Sequence, residues 1–320
     1  MTTNGIPRVV VVGDVNPDMT IRLSRSGGSG RIDPTPPEVG GGGTAGNAAV
    51  ALARLGISTA FVGAIGEDPF GRLVEAELRA EGIDLTGVVH VSGHPTALVV
   101  ALIQADGERH LLNWPPERGA DIQLRPQDLN PAWFAGAAWV HATGICLRHS
   151  PVREAVLEAM RLGRAAGATV SVDLNLRAEV WGMDPQTQAS IESAIALADV
   201  VLGSGPEELT LIAGLTDPLA AARRIAAGVR TVVGRVGAEG AFCVGREAPQ
   251  SVSGFSVPVV DATGAGDAFN GGFIAARVEG ACLREALRWG NAVAALKISR
   301  GAARALPNRR DVLEFLGSHL

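Results

Sequence analysis

The chain has 320 residues, of which 47% are hydrophobic and 19% are charged, and its formal net charge is −5. This composition predicts a soluble globular protein with a large core. The acidic balance argues against a nucleic-acid partner, and no apolar run approaches the about 20 residues that a membrane helix needs. The first residues lack the basic and apolar regions of a signal peptide, so we expect a cytoplasmic protein without a membrane partner.

Apolar, β-branched runs alternate along the chain with helical patterns of alanine and leucine. This rhythm is typical of βαβ units and predicts an α/β fold, with a mostly parallel sheet and helices on both faces. The predicted strands lie at 9–12, 58–65, 138–143, 169–173, 199–203, 231–235 and 241–245, and helices are predicted to begin near residues 47, 68 and 150.

Two segments interrupt the alternation. Residues 18–39 join a strand-like run to a stretch rich in glycine, serine and proline, and residues 88–112 contain strand-like runs with no helix between them. We expect these two insertions to pair into a small β-sheet. No internal repeat and no domain-scale linker is present, which favours one domain over residues 1–320.

Residues 259–273 carry the strongest indication of chemistry. Val257, Val259 and Val260 predict the end of a strand, and helical spacing follows, so that the stretch from Gly264 through Ala265 to Gly266 falls at a helix N-terminus. The unpaired N–H groups and positive dipole end there can bind a phosphate without a lysine, and glycine permits a close approach.

Asp267 follows in the first turn of that predicted helix. A carboxylate there would stand beside the bound phosphate and could accept the proton of a substrate hydroxyl as its oxygen attacks phosphorus. The alternative interpretation is a glycine turn followed by an ordinary first-turn aspartate.

Two absences exclude several enzyme classes. The chain has no tyrosine, and Lys297 is its only lysine. A Tyr-Lys dehydrogenase pair and a lysine-containing P-loop are therefore excluded, and phosphate binding must use backbone and arginine. The glycines of Gly41-x-Gly43-x-x-Gly46 match a dinucleotide fingerprint, but the prolines in 33–39 exclude a central strand before them, which argues against a dehydrogenase.

The heptapeptide Asp-Ala-Thr-Gly-Ala-Gly-Asp at 261–267 resembles the C-terminal motif of the ribokinase-like (PfkB) carbohydrate kinases. Other matching residues occur in that family's order: Asn16 and Asp18, Gly42 and Gly43 followed by Asn47, the run 66–71, Asp173-x-Asn175-x-Arg177, and Glu208. The resemblance covers nearly the whole chain. It implies a three-layer α/β/α fold whose small β-sheet is a lid over a sugar site.

The resemblance also implies roles for individual residues. Asp267 would be the base, with Gly264, Ala265 and Gly266 as the anion hole. The implied sugar-binding residues are Asn16, Asp18, Gly42, Gly43, Asn47 and Arg177, together with Asp267. The implied nucleotide-binding residues are Arg235, Gly237 and Asn291, together with Gly264 and Gly266. The implied ligands are ATP and Mg²⁺, with Glu208 acting on the metal through water, and a monovalent cation stays open near Asp261 and Thr263.

Departures from the family pattern bear on the substrate. The lysine often found after the paired glycines is replaced by Thr44-Ala45, and Thr143-Gly144 stands near the position of a ribose-binding glutamate. We therefore expect an ATP-dependent kinase for a primary hydroxyl of an unphosphorylated sugar or sugar acid, fructose-like or 2-keto-3-deoxygluconate-like. Arg177 could bind a carboxylate or phosphate, or could be an ordinary surface arginine.

Two alternative functions stay open at this point. One is a ribose or nucleoside kinase of the same family. Another is a protein that binds a sugar or nucleotide without catalysis, because the Asn-x-x-Glu metal motif is half lost, with Gly205 at the asparagine position, and because Arg235 replaces the usual residue. The oligomeric state is also open, with a homodimer through the lid as one option. Arg304, Arg309 and Arg310 are expected on a solvated surface.

Overall fold

The computed structural model describes residues 8–25, 32–104, 109–246, 248–300 and 304–319. The strands are β1 (Arg8–Val12), β2 (Asn16–Arg25), β3 (Ile32–Pro34), β4 (Glu38–Gly42), β5 (Ser58–Gly66), β6 (Asp84–Val91), β7 (Leu98–Ile103), β8 (Arg109–Trp114), β9 (Ala137–Thr143), β10 (Thr169–Asp173), β11 (Val200–Ser204), β12 (Thr231–Arg235), β13 (Ala241–Val244) and β14 (Gln250–Val252).

The helices are α1 (Thr44–Arg54), α2 (Pro69–Ala80), α3 (Val152–Ala165), α4 (Ala178–Trp181), α5 (Pro185–Leu197), α6 (Thr210–Ala213), α7 (Pro218–Ala226), α8 (Ala265–Val278), α9 (Leu283–Ile298) and α10 (Arg309–Ser318). These bounds confirm the predicted strands between 9 and 244 and the predicted helix starts. Across the described ranges, no helix is long and apolar enough to cross a membrane.

Nine strands form the large sheet, in the order β14-β13-β12-β11-β10-β9-β1-β5-β6. The strands from β12 to β6 in this order are parallel, and β13 and β14 are antiparallel additions. The chain runs outward from β1 through β5 and β6, then returns to β9 and runs outward in the other direction. The order therefore reverses between β1 and β9, and ligands of open α/β sheets bind at such a point, beyond the carboxyl ends of the strands.

Helices cover both faces of this sheet, as the sequence predicts. In β1, Val9 and Val11 join a core cluster with residues of α1, α8 and α9, whereas Val10 and Val12 join a second cluster with residues of α3 and α5. All four valines are fully buried. A strand buried on both faces needs a continuous apolar run rather than an alternating one, which is the pattern that β1 shows.

The two insertions pair into a second sheet of five strands, in the order β3-β2-β7-β8 with β4 paired to β2. Strand β2 runs parallel to β7, with Asp18 opposite Val99. The predicted pairing is thus confirmed, but its second segment needs a correction, because residues 88–91 belong to β6 of the large sheet. Parts of the predicted lid, residues 26–31 and 105–108, lie outside the described residues.

One predicted strand end is wrong. Val257, Val259 and Val260 lie in irregular structure after β14, and Val259 and Val260 are 66% and 62% exposed. Strand β14 is the edge of the large sheet, so the chain leaves the sheet at Val252 and has no neighbouring strand on which to bury these valines. Instead, the N–H groups of Val260 and Asp261 donate to the carbonyl of Ile298 at the end of α9.

Candidate active site

Buried polar side chains collect along the carboxyl edge of the large sheet. Asp14 follows β1, Asp173 ends β10 and Arg235 ends β12, while Asp267 lies in the first turn of α8. The three aspartates are buried, and the Arg235 side chain is only 16% exposed. Charged groups are seldom buried without partners, so this cluster indicates a functional site at the expected edge of the sheet.

The N-terminus of α8 confirms the predicted helix start. Gly264 precedes the helix with φ +74°, a conformation that favours glycine, and no side chain caps this end. Within the described chain, the N–H groups of Gly266 and Asp267 have no hydrogen-bond partner. An uncapped helix start with outward N–H groups can hold an anion such as a phosphate.

The carboxylate of Asp267 lies beside these N–H groups. Its Oδ2 accepts a hydrogen bond of 2.9 Å from Nδ2 of Asn47, which α1 supplies. Burial raises the pKa of Asp267 to about 7, although the Asn47 bond acts in the opposite direction. A buried carboxylate that titrates near neutral pH is suited to accept a proton from a substrate hydroxyl.

Asn16, Asp18 and Gly42 lie together where β2 pairs with β4. Asn16 stands opposite Gly42, and its Nδ2 donates to Oδ1 of Asp18 at 2.8 Å. A Cβ at position 42 would meet the Asp18 carboxylate, so glycine at this position lets that carboxylate lie close against the backbone of β4. Burial raises the pKa of Asp18 to about 6. The group offers acceptor and donor atoms of the kind that sugar hydroxyls need.

The hydrogen bonds of Asp14, in contrast, are structural. Its carboxylate accepts the N–H groups of Thr44 and Ala45 at 2.7 and 3.2 Å, and the hydroxyl of Thr143 at 3.2 Å. It thereby holds the start of α1 beside the end of β1. Gly43, with φ +85°, makes the turn into that helix. The glycine pattern 41–46 thus begins within β4 of the small sheet and does not follow a central strand, so the dinucleotide interpretation fails.

Arg304 corrects the expectation of a solvated surface. Its side chain is 11% exposed, and its Nη1 lies 2.8 Å from the Glu77 carboxylate. Nη2 donates to the carbonyl of Gly42 at 2.8 Å, and Nε donates to Oδ1 of Asn47 at 3.4 Å. The arginine thus connects two predicted sugar residues, a contact across more than 250 positions that no local pattern signals. Arg310 is exposed, as expected, whereas Arg309 is partly buried and pairs with Glu279.

Arg235 lies beside the α8 N-terminus on the other side. Nη2 is 2.7 Å from Oδ1 of Asp173, and Nη1 donates to Oδ1 of Asn270 at 2.8 Å. Asn270 in turn donates to the second oxygen of Asp173 at 2.9 Å. A Cβ on Gly266 would lie 3.4 Å from Nη1 of Arg235. The guanidinium is therefore adjacent to the candidate phosphate position and is held there by an anion.

Glu208 is tied to backbone on both sides. Oε1 accepts the N–H of Leu176 and Oε2 that of Ser204, each at 2.7 Å, and Arg235 lies 3.6 Å from Oε2. Burial raises the pKa of Glu208. Among the residues that the structure describes, no three acidic, histidine or cysteine side chains form a metal-binding group. The oxygen donor suits Mg²⁺, and its existing bonds suit contact through water better than direct ligation.

The remaining predicted residues are less closely connected. Asn291 donates to the carbonyls of Val252 and Ser253, both at 3.1 Å, and so ties α9 to the chain after β14. Gly237 begins a short 3₁₀ turn after β12. Arg177 is exposed, has φ +48°, and makes no side-chain hydrogen bond or ion pair with the described residues. The loop before it reaches the site through Asn175, which donates to the hydroxyl of Thr44 at 2.7 Å.

The strand order of the parallel sheet reverses between β1 and β9, and the uncapped start of α8 lies at the carboxyl edge of that sheet beside the buried Asp267 carboxylate. These features define the class as a phosphotransferase of ribokinase-like architecture. Comparison with known proteins then gives the family. The model of the pfkB family of carbohydrate kinases matches residues 7–309, so the chain belongs to that family and is a carbohydrate kinase.

Two curated relatives match most of the chain. The fructokinase of Vibrio alginolyticus is 34% identical over 284 residues, which are 86% of this chain and 91% of the relative. The aminoimidazole riboside kinase of Salmonella typhimurium strain LT2 is 34% identical over 287 residues, which are 87% of this chain and 88% of the relative.

Two solved structures show the likeness of fold and the ligands of relatives. The Xylella fastidiosa fructokinase with bound ATP has a TM-score of 0.85 and 29% identity, and the match covers 98% of both chains. A double mutant of the Vibrio cholerae O395 fructokinase, with fructose, ADP and a potassium ion, has a TM-score of 0.83 and 31% identity, covering 98% of this chain and 100% of the other. ATP with metal ions is thus the ligand set of this family, as predicted.

Proposed function

We propose that this kinase transfers the γ-phosphoryl group of ATP to a primary hydroxyl of a neutral, unphosphorylated, fructose-like sugar. The observation that carries the proposal is the hydrogen bond from Asn47 to Asp267. It joins the helix start that suits a phosphate to the residues that suit a sugar, so that a hydroxyl bound near Asn47 would face the carboxylate.

Each residue of the candidate site has a separate role in the proposed reaction. Asp267 accepts the hydroxyl proton, while the N–H groups at the start of α8 stabilise charge on the transferring phosphoryl group. Mg²⁺ bound with ATP would neutralise phosphate charge, and Glu208 would orient its water. Arg235 stands beside the helix start as a further cation for the nucleotide phosphates, and Gly237 and Asn291 shape the adjoining chain.

Charge in the site favours a substrate without a phosphate of its own. Arg304, the arginine that contacts Gly42 and Asn47, is paired with Glu77, so its charge is already compensated and is not left over for a second phosphate. Arg177 is exposed. Fructokinases are among the relatives at about this identity, which supports a neutral ketose over a sugar acid.

A screen of ADP release tests the substrate. D-fructose, D-ribose, 2-keto-3-deoxygluconate, fructose 1-phosphate and fructose 6-phosphate should be compared at saturating ATP and Mg²⁺, and fructose should give the highest kcat/KM. Arg177→Lys should leave fructose turnover within about twofold, because a neutral sugar does not need the guanidinium fork. A higher kcat/KM for either fructose phosphate would contradict the proposal.

A nucleoside kinase is the second candidate, because the aminoimidazole riboside kinase is as similar to this chain as the fructokinase is. Aminoimidazole riboside and adenosine therefore belong in the same screen, and a higher kcat/KM for either would favour this candidate. A sugar-binding protein without catalysis would bind fructose in calorimetry and release no ADP.

We also propose that residues 1–320 act as one kinase domain, that the small sheet is its lid, and that two copies pair through that sheet. Leu111, Leu112 and Trp114 on its edge strand β8 are 68%, 53% and 49% exposed, and apolar exposure of this size suits an interface. Light scattering should give a dimer mass that Leu111→Glu lowers to the monomer mass. Use of ATP and the small, odd number of cysteines, three in the whole sequence, support a cytoplasmic location.

A further inference from the structure

Lys297 is a fully buried cation at the end of α9. It lies in the last turn of that helix, and its side chain is 0% exposed. Its Nζ donates to the backbone carbonyl of Asp261 at 3.0 Å and lies 3.8 Å from Oδ2 of the same residue. A buried ammonium is costly unless oxygen atoms surround it, so its position indicates a specific role.

The loop that Lys297 contacts leads directly into the α8 N-terminus. Oδ1 of Asp261 accepts the N–H of Thr263 at 3.0 Å, and the N–H groups of Val260 and Asp261 donate to the carbonyl of Ile298 at 2.8 and 3.1 Å. The loop is therefore fixed to the last turn of α9 by backbone bonds and by the ammonium. One residue after Thr263, Gly264 begins the turn that exposes the candidate phosphate-binding N–H groups.

The resemblance to the ribokinase-like kinases suggests that a monovalent cation could bind at this loop, near Asp261 and Thr263. A related fructokinase structure contains a potassium ion. Carbonyl and carboxylate oxygens are the atoms that such a cation would bind. In this chain both kinds of oxygen on Asp261 face the Lys297 ammonium, which carries the same charge. A free cation and the ammonium cannot occupy the same place against these oxygens, so the residues do not fit a separate ion.

We propose that Lys297 is a built-in replacement for the monovalent cation, and that it positions the loop 261–264 without any ion from solution. The composition of the chain supports this. Of its 28 Lys and Arg residues, Lys297 is the one lysine. A compact ammonium with three donors can take the place of a small ion among oxygens, whereas the planar guanidinium of arginine cannot. Lys297 is thus a positioning residue that acts through the backbone of α8.

The first experiment needs neither sugar nor nucleotide, so its outcome is independent of the proposed function. Crystals of the wild type and of Lys297→Ala are grown with rubidium chloride, and anomalous scattering locates the ion. We expect no rubidium at Asp261 in the wild type and a bound rubidium in Lys297→Ala, where the removed side chain leaves space. Rubidium at the Asp261 oxygens of the wild type would overturn the proposal.

The second experiment measures thermal unfolding of the ligand-free proteins in potassium chloride and in tetramethylammonium chloride at equal ionic strength. Potassium should raise the Tm of Lys297→Ala, because binding to the folded state stabilises it, and should leave that of the wild type unchanged. Lys297→Met fills the same space without a charge and should not respond. Arg284→Met, which removes an exposed cation from the same helix, should behave as the wild type.

The third experiment rests on the proposed kinase activity. Wild-type ADP release should agree within about twofold in the two salts, whereas Lys297→Ala should lose about tenfold or more in tetramethylammonium and recover in potassium, as expected when a loop beside the reacting group is misplaced. Lys297→Met should stay impaired in both salts. A wild type that needs potassium for turnover would refute the inference, even if neither variant folds.

Discussion

Asp267 is the side chain on which the proposed proton transfer depends, because its surroundings determine both its protonation and its position. Asn47 holds one carboxylate oxygen, burial raises the pKa, and the start of α8 supplies free N–H groups next to it. A structural aspartate at a helix start would more simply cap that helix. Asp267 does not cap the helix, and the N–H groups of Gly266 and Asp267 have no partner among the described residues, which favours the catalytic interpretation over the structural one.

Replacement of the base tests that role directly. Asp267→Asn should lower kcat by ~10² to 10⁴ because the proton acceptor is lost, while the Kd for ATP stays nearly unchanged. Coupled ADP release and calorimetry measure the two quantities. Glu314→Gln, at a 64% exposed side chain, is the control and should match the wild type. Wild-type turnover in Asp267→Asn would rule out this assignment.

The raised pKa of Asp267 predicts the pH dependence of turnover. Below pH of about 7 the carboxyl is protonated and cannot accept a proton, so kcat/KM for the sugar should fall as pH decreases through that value. The Asn47 bond lowers the pKa, so Asn47→Leu should move the acid limb of the profile to higher pH. An acid limb that lies near pH 4 and is the same in both proteins would contradict the prediction.

The same shift has a consequence for stability. The folded protein holds the Asp267 proton up to pH of about 7, whereas the unfolded chain releases it near the ordinary aspartate pKa of 3.8. This contribution to the free energy of unfolding is therefore fully present below that lower pH and is lost as pH rises to about 7. The Tm of the wild type should fall more between pH 5 and 8 than that of Asp267→Asn, and equal slopes in calorimetry would be the opposite result.

At the scale of elements, the start of α8 matters because three features meet there. Gly264 makes the left-handed turn, the helix dipole points at the candidate phosphate position, and Arg235 lies across from Gly266. The loop before the helix is held to α9 by the carbonyl of Ile298 and by Lys297. The candidate anion site is thus formed by two packed helices and the strand end that carries Arg235.

Two substitutions at Gly266 distinguish the effect of adding a Cβ to the helix from the effect of filling the candidate phosphate position. A Cβ there meets only the Arg235 guanidinium at 3.4 Å, an ordinary contact, so Gly266→Ala should retain most of its activity. Gly266→Val adds two methyl groups beside Arg235 and the phosphate position, and should lower kcat by ~10² to 10³, the usual effect of losing one preorganised donor. Equal activities of the two variants would place the phosphates elsewhere.

At the scale of the whole molecule, the described strands form a large sheet and a smaller sheet that begins at its carboxyl edge. Strand β2 begins four residues after β1 ends and carries Asn16 and Asp18 from the large sheet into the small one. Arg304, near the other end of the chain, donates to the Gly42 carbonyl at the end of β4. Movement of the small sheet would therefore carry the proposed sugar-binding atoms with it, which is the arrangement expected of the proposed lid.

Hydrogen exchange tests the lid. Amides of β2, β4, β7 and β8 should exchange more slowly at saturating fructose, because closure excludes water from the transferring group, while exchange in β9 and β10 of the large sheet should stay unchanged. Mass spectrometry of peptides from both sheets gives the comparison within one sample. Equal exchange in the small sheet with and without sugar would show that no lid closes.

The sequence by itself determined the α/β class, most strands of the large sheet, the start of α8 and the placement of Asp267 in its first turn. These are local properties, because buried parallel strands need continuous apolar runs and a helix start after Gly264 needs a residue that tolerates positive φ. The order of the motifs along the chain determined the family as well.

Only the tertiary structure decided the rest. The sequence predicts a strand end at the valines before α8, but no described strand pairs with them. It predicts a surface position for Arg304, but the side chain donates hydrogen bonds to Gly42 and Asn47. The sequence shows that Lys297 is the one lysine, but only the structure shows that its ammonium faces Asp261. Each outcome depends on partners 36 or more positions away, and pairing over such distances is set by how the helices and sheets pack.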